Sequence, residues 1–225
     1  MLLMFLNNLI DSFWVSGINA DALAALGFIT PLYLVIIGLG SGVGAGANSL
    51  ISRYVGEQRF EDANNAIIHS YILTFIVSII VLIVGIFFLD DLVILLGASS
   101  VKSYCLSYGQ IIFLLNIVFL LPNVTASIFR AEGDVARATN PLILTAILNM
   151  VIDPILIYSF NLGIFGAGLA TVIASFAGYV WMIYWIFVNK DTFFKFKFEH
   201  YRRKMEIYRE ILVVSLPAAT EEIIF

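Results

Sequence analysis

The sequence predicts an all-α polytopic membrane protein, a six-helix transmembrane bundle followed by the start of a seventh helix. Three observations predict it. First, the 225 residues are 61% hydrophobic and 12% charged, where soluble domains are about half apolar and roughly a quarter charged. Mean hydropathy is +0.98, which also excludes a disordered chain. Second, the apolar residues gather into stretches near the ~20 residues that cross a bilayer core. Third, the basic residues fall in alternate loops. The net charge of −4 is weak and indicates no particular partner. The single cysteine, Cys105, forms no intrachain disulfide and implies no oxidising compartment. The chain opens MLLMFLNN, without the basic residues that precede the apolar run of a signal peptide.

The stretches follow in order. Residues 1–16 are apolar but short, with Asn7, Asn8 and Asp11 among them. Residues 24–52 are long and rich in glycine. Residues 64–89, 101–127, 141–160 and 166–188 complete six spans, and 211–225 begin a seventh. The first span lacks its opening turns and the last stops within apolar sequence, so the chain reads as a fragment, a split gene product or a half-length protein. Arg53 and Arg59 lie between spans two and three, and Arg130 and Arg137 between four and five. Lys190, Lys195, Lys197, Arg202, Arg203, Lys204 and Arg209 lie between six and seven. Eleven of the twelve Lys and Arg thus share one face, Lys102 being the exception. The positive-inside rule puts that face, the N-terminus and residues 189–210 in the cytoplasm of a plasma-membrane protein.

Three domains result: a six-helix lobe over 1–188, a cytoplasmic amphipathic linker helix over 189–210, and the truncated first helix of a second lobe over 211–225. In the linker, Phe194, Phe198, Tyr201, Met205 and Tyr208 recur at spacings of four and three with basic residues between them. Such a helix lies on an anionic leaflet. Its place between two spans makes it a connector and argues against nucleic acid as a partner.

Two acids interrupt the first six apolar spans, Asp11 and Asp153. A mid-helix carboxylate costs roughly 2.5–3.5 kcal/mol on insertion scales, so it faces a cavity or a partner. Asn149 precedes Asp153 by four residues and shares its helical face. Pro154 follows at once. Its missing N–H frees the Met150 carbonyl and predicts a kink there. Apart from Lys102, at the very edge of span four, no Lys or Arg lies within a span. Two carboxylates sharing a low-dielectric site cannot both stay ionised unless a proton or a cation joins them. Spacing alone does not establish that Asp11 and Asp153 meet, and a capping or pairing role for Asp153 stays open.

Span two carries Gly38, Gly42 and Gly46 interleaved with Gly40 and Gly44. Small residues four apart let helix backbones approach closely. Span six repeats the device with Gly166, Ala170, Ala174 and Gly178, and offers Thr171 and Ser175 on an adjacent face. Those hydroxyls can also bond their own backbone. Asn123 after Pro122, then Tyr108 and Gln110, are weaker cavity candidates. His69 and His200 stand alone and read as structural. No phosphate-binding loop is present, which argues against ATP drive.

These residues resemble the multidrug and toxic compound extrusion (MATE) transporters over nearly the whole chain. Asn8-Leu-Ile-Asp11, Val15-Ser-Gly17 and Ala22-Leu-Ala-Ala-Leu-Gly27 resemble the family's first span and loop. Ser52-Arg-Tyr-Val-Gly56 resembles its loop after span two. The most specific run is Arg130-Ala-Glu-Gly-Asp134, Asn140-Pro141, Leu148-Asn-Met-Val-Ile-Asp-Pro154 and Gly163-Ile-Phe-Gly-Ala-Gly-Leu-Ala-Thr171. Ser215-Leu-Pro-Ala-Ala219 resembles the start of span seven. The resemblance implies an N-terminal lobe that works with a second six-helix lobe, missing from this chain. Together they would exchange cationic or amphipathic compounds for inward H⁺ or Na⁺, with no cofactor and no enzymatic step. It implies a cation site at Asp11, Asn149, Asp153 and Thr171, with the Ala167 carbonyl as a further ligand and no metal beyond Na⁺. Asn8, Tyr108 and Asn123 would line the substrate cavity. Asn7 departs from the family, in which an aromatic residue commonly precedes Asn8. Beside this efflux reading stand a flippase of lipid-linked sugars, an intramembrane aspartyl protease and a non-transporting truncated remnant. The flippase would need basic residues in its spans. The protease would need the two acids as a dyad sharing one proton.

Overall fold

A computed structural model describes residues 2–188 and 202–224, and every regular element among them is helical. In chain order these are α1 (Leu2–Ser16), α2 (Ala20–Gly56), α3 (Phe60–Leu95), α4 (Lys102–Leu114), α5 (Ile117–Ala131), α6 (Val135–Pro154), α7 (Gly163–Val188) and α8 (Met205–Ile224). Among the described residues, four spans are long and apolar enough to cross a membrane: α2, α3, α7, and α6 with its continuation to Ser159. A fifth forms if α4 and α5 count as one bent span. α1, at 15 residues, is shorter than such a span. The outward side chains fit lipid. Phe75, Ile79, Ile83, Ile86 and Phe87 line one exposed stripe of α3, a face no water-soluble surface of this size would carry.

α2 and α6 begin before the apolar stretches that announced them, because caps and not hydropathy set their starts. α2 begins at Ala20, where the Asn19 side chain accepts a hydrogen bond from the Ala22 N–H at 2.7 Å. α6 begins at Val135, where Asp134 accepts from the Arg137 N–H at 2.9 Å. Gly133, with φ of +87°, supplies the left-handed turn between α5 and α6.

Two interruptions matter for the site. The fourth span was expected to be continuous over 101–127. Instead α4 and α5 meet at 48°. Asn116 holds the break: its buried amide donates to the Phe113 carbonyl at 2.8 Å and to the Ser78 carbonyl of α3 at 3.2 Å. The kink expected at Pro154 takes a specific form. α6 runs through the proline and continues as a π-helical turn over Ile155–Ser159. Such turns absorb a residue that cannot join the regular ladder.

α2 packs against α1, α3, α4, α5 and α8, and its glycines divide the work. A Cβ on Gly42 would stand 2.7 Å from the Ser215 carbonyl and from Ala219 Cβ, and one on Gly46 would strike the Ile211 carbonyl, so this series seats α8. A Cβ on Gly40 would stand 3.1 Å from Leu120, and one on Gly44 2.5 Å from Ser127 Oγ, so the alternate series seats α5. On α7, Gly166 meets the Leu156 carbonyl and Gly178 meets Thr145 and the Pro141 carbonyl, which brings α7 onto the α6 segment. Met205–Glu210, assigned above to the linker, are the opening turns of α8. Phe194, Phe198, Tyr201 and His200 lie outside the described residues.

Candidate functional site

The site lies where α1, α6 and α7 converge beside the larger apolar core. α6 projects Asn149 and Asp153 from one face, as their spacing requires, and both are buried, at 1% and 0% exposure. α1 presents Asp11, 5% exposed, so that its carboxyl faces the Asp153 carboxyl and the Asn149 amide. α7 supplies Thr171. Asn149 Nδ2 reaches Asp153 Oδ1 at 3.3 Å and Thr171 Oγ1 at 3.4 Å. The Thr171 hydroxyl donates to the Ala167 carbonyl at 3.0 Å. The four predicted polar ligands and the predicted carbonyl are therefore gathered in one buried cluster.

Its chemistry is one-sided. Asp11 Oδ1, Asn149 Oδ1 and Asp153 Oδ2 are buried with no hydrogen-bond partner. All three are acceptors. Among the described residues no ion pair reaches either carboxylate. Leaving one buried acceptor unsatisfied costs about 1–3 kcal/mol, and more when it is charged. Orphan acceptor oxygens with no cationic side chain paired to them among the described residues suit a hard cation or a proton, and the residues present fit Na⁺ as well as H⁺.

Two tyrosines stand near the cluster. Tyr108 on α4 is buried, comes up to Thr171, and packs its ring against Gly168 of α7. Tyr33 of α2 was not anticipated. It lies within electrostatic reach of Asp11 and packs edge-on against Phe119 with ring centroids 5.3 Å apart. A tyrosine in an apolar run carries no spacing signal that would have marked it. The C-terminal end of α1 is tied to the π-helical turn, where the Tyr158 hydroxyl donates to the Trp14 carbonyl. That contact fixes the approach of α1 to α6 one turn from Asp11.

The remaining candidates are placed elsewhere. Asn8 lies one turn before Asp11 on α1 and is half-buried, its carbonyl accepting from Ser12 Oγ at 2.7 Å. Asn123 is not brought to the acids. Its amide donates to the Phe119 carbonyl of its own helix at 2.9 Å, and it packs against Gly40 in the seam of α2 and α5. Gln110 is exposed.

A family model described as MatE matches residues 1–155. A FAD transporter of Shewanella oneidensis is 30% identical over 186 residues, covering 78% of this chain and 41% of that protein. The multidrug export protein MepA of Staphylococcus aureus is 25% identical over 201 residues, covering 89% of this chain and 44% of that protein. An inward-facing multidrug resistance MATE family transporter of the MOP superfamily superimposes with a TM-score of 0.94 at 33% identity, over 97% of this chain and 50% of that one. The chain thus spans about half the length of the relatives it matches.

Proposed function

Because the chain belongs to the MatE family, we propose that it forms the N-terminal lobe of a secondary active efflux transporter, not an enzyme, that exports cationic or amphipathic compounds against inward H⁺ or Na⁺. The observation that carries this reading is the buried cluster of Asp11, Asn149, Asp153 and Thr171, with its three orphan acceptor oxygens and no ion pair to either acid. Such a cluster is incomplete without a small cation.

Loading the cluster changes its charge and not its fold. With a proton or Na⁺ between the carboxylates, the mutual repulsion of Asp11 and Asp153 ends and α1 can close on α6. Without one, α1 and α6 repel at that point, and a cationic cargo nearby is favoured. Cargo and ion therefore compete for the same negative charge, which is the linkage exchange requires. The acids also favour a cation over an anionic cargo, so the reading follows the MepA relative rather than the FAD transporter. A flippase of lipid-linked sugars would need cationic groups where this lobe holds acids. The basic ends of the helices face the cytoplasm in this reading, as does the N-terminus. Rocking against a second six-helix lobe would carry the site from one side of the membrane to the other.

The test places Asp11→Asn and Asp153→Asn, each alone, in the lobe working alongside its second lobe. Each substitution is expected to abolish ion-coupled efflux of a cationic dye from loaded cells while the protein remains in the membrane. Unchanged efflux with unchanged ion dependence in both variants would refute the reading.

A further inference from the structure

At the end of α3 away from the acid cluster, a second group of buried polar side chains engages the connection that leads into α8. Asn65 and His69 lie four residues apart on α3, at 3% and 0% exposure. Both grip backbone. Asn65 Nδ2 donates to the Arg202 carbonyl at 3.0 Å, and its Oδ1 accepts from the Arg202 N–H at 3.3 Å. His69 Nε2 accepts from the Lys204 N–H at 3.3 Å, while Nδ1 lies 2.8 Å from the Asn65 carbonyl. One turn earlier, Asp62 takes the Lys204 ammonium at 3.2 Å.

The pattern fixes the state of the ring. Because Nε2 accepts, the proton of a neutral imidazole sits on Nδ1 and is donated to the Asn65 carbonyl. A second proton would go to Nε2. That would remove the acceptor, oppose two N–H groups, and add positive charge beside Lys204. Among the described residues, the charged and titratable groups at this end include Lys204, Arg202 and Arg203 on the connection, Tyr208 of α8 with its ring 4.6 Å from the imidazole, Glu206, Arg209 and Glu210 of α8, Asp62 of α3 with Arg59 just before it, Arg53 and Tyr54 of α2, and Arg130 of α5. Asp62 is already shared between Arg59 at 2.8 Å and Lys204, and Glu210 is paired with Arg53.

We infer that Asn65 and His69 are positioning residues forming a protonation-sensitive latch, which pins residues 202–204 to α3 and so sets where α8 begins. Since α8 is continuous to Ile224 and seated on Gly42 and Gly46 of α2, opening the latch frees the start of the helix that leads out of this lobe. Acidification on that side of the membrane is the trigger. The inference stands on contacts remote from Asp11 and Asp153 and depends on neither cargo nor coupling ion.

Amide hydrogen exchange of the whole chain in lipid nanodiscs tests it, corrected for the intrinsic pH dependence of exchange. At about pH 7.5 the Arg202 and Lys204 amides should be protected; because burial and the neighbouring Lys204 disfavour a charged ring, the acid arm is set at about pH 4.5, below the range of an exposed histidine, where protection should fall roughly tenfold, the scale of one lost hydrogen bond. His69→Gln retains a neutral acceptor and should hold Lys204 protection at both values. His69→Ala should lose it at both, and Asn65→Ala should free Arg202. Wild-type protection unchanged between the two pH values would overturn the inference, as would a His69→Gln variant that opens in acid like the wild type. The wild-type comparison needs no substitution, so a misfolded variant leaves it decisive.

Discussion

Gly42 and Gly27 lie on the same helix, α2, and differ in what a methyl group would meet. A Cβ at Gly27 would have nothing within 4 Å, whereas one at Gly42 would stand 2.7 Å from the Ser215 carbonyl and 3.1 Å from the Ala219 backbone nitrogen. To restore an ordinary 3.4 Å contact, α8 must retreat by about 0.7 Å, an overpacking that costs roughly 1–3 kcal/mol. Alanine in a helix is favoured over glycine by about 0.8–1.0 kcal/mol, and that gain is common to both sites. Gly27→Ala should therefore stabilise by up to about 1 kcal/mol. Gly42→Ala should lie between neutral and about 2 kcal/mol destabilising. At roughly 2–4 °C per kcal/mol for a chain of this size, the two variants should melt about 2–12 °C apart. Thermal unfolding of the purified variants in one detergent, followed by tryptophan fluorescence, measures the gap. Equal or higher melting of Gly42→Ala would show that α8 is not seated on α2.

Two further outcomes follow from the same contacts. Asn116→Ala removes both bonds that hold the break in span four, leaves the Ser78 carbonyl without that donor, and should lower stability by about 1–3 kcal/mol; a melt within a degree of wild type would contradict this. Thr171→Val removes one neutral oxygen from the cluster and should weaken ion binding about 2–10-fold, on the scale of one neutral polar contact, while Thr171→Ser should bind as wild type; isothermal titration with Na⁺ at fixed pH compares them.

The spans were legible because lipid selects composition, and composition survives in the sequence. Their ends were not, because Asn19 and Asp134 act through single backbone N–H groups and leave hydropathy unchanged. The break at Asn116 had no signal: Pro122 draws the eye, but the chain bends six residues earlier, where an asparagine satisfies carbonyls of two helices. Asn149 and Asp153 were readable as one face because a helix has a fixed period. Their meeting with Asp11 is a tertiary contact between α1 and α6, and only the family resemblance implied it. His69 was read as an isolated structural residue, and it is a buried one. One of its partners is the backbone N–H of Lys204, 135 residues away, and backbone partners leave no mark on side-chain spacing.

The account rests on the Asp11 and Asp153 pair taking up one small cation, and infrared difference spectroscopy of the chain in nanodiscs tests this most directly. As the pH is lowered without Na⁺, the wild type should show a buried carboxylic acid C=O band that is absent from the double variant Asp11→Asn, Asp153→Asn, and Na⁺ should suppress that band if it competes with the proton. Identical acid-induced spectra of wild type and double variant, both indifferent to Na⁺, would contradict it.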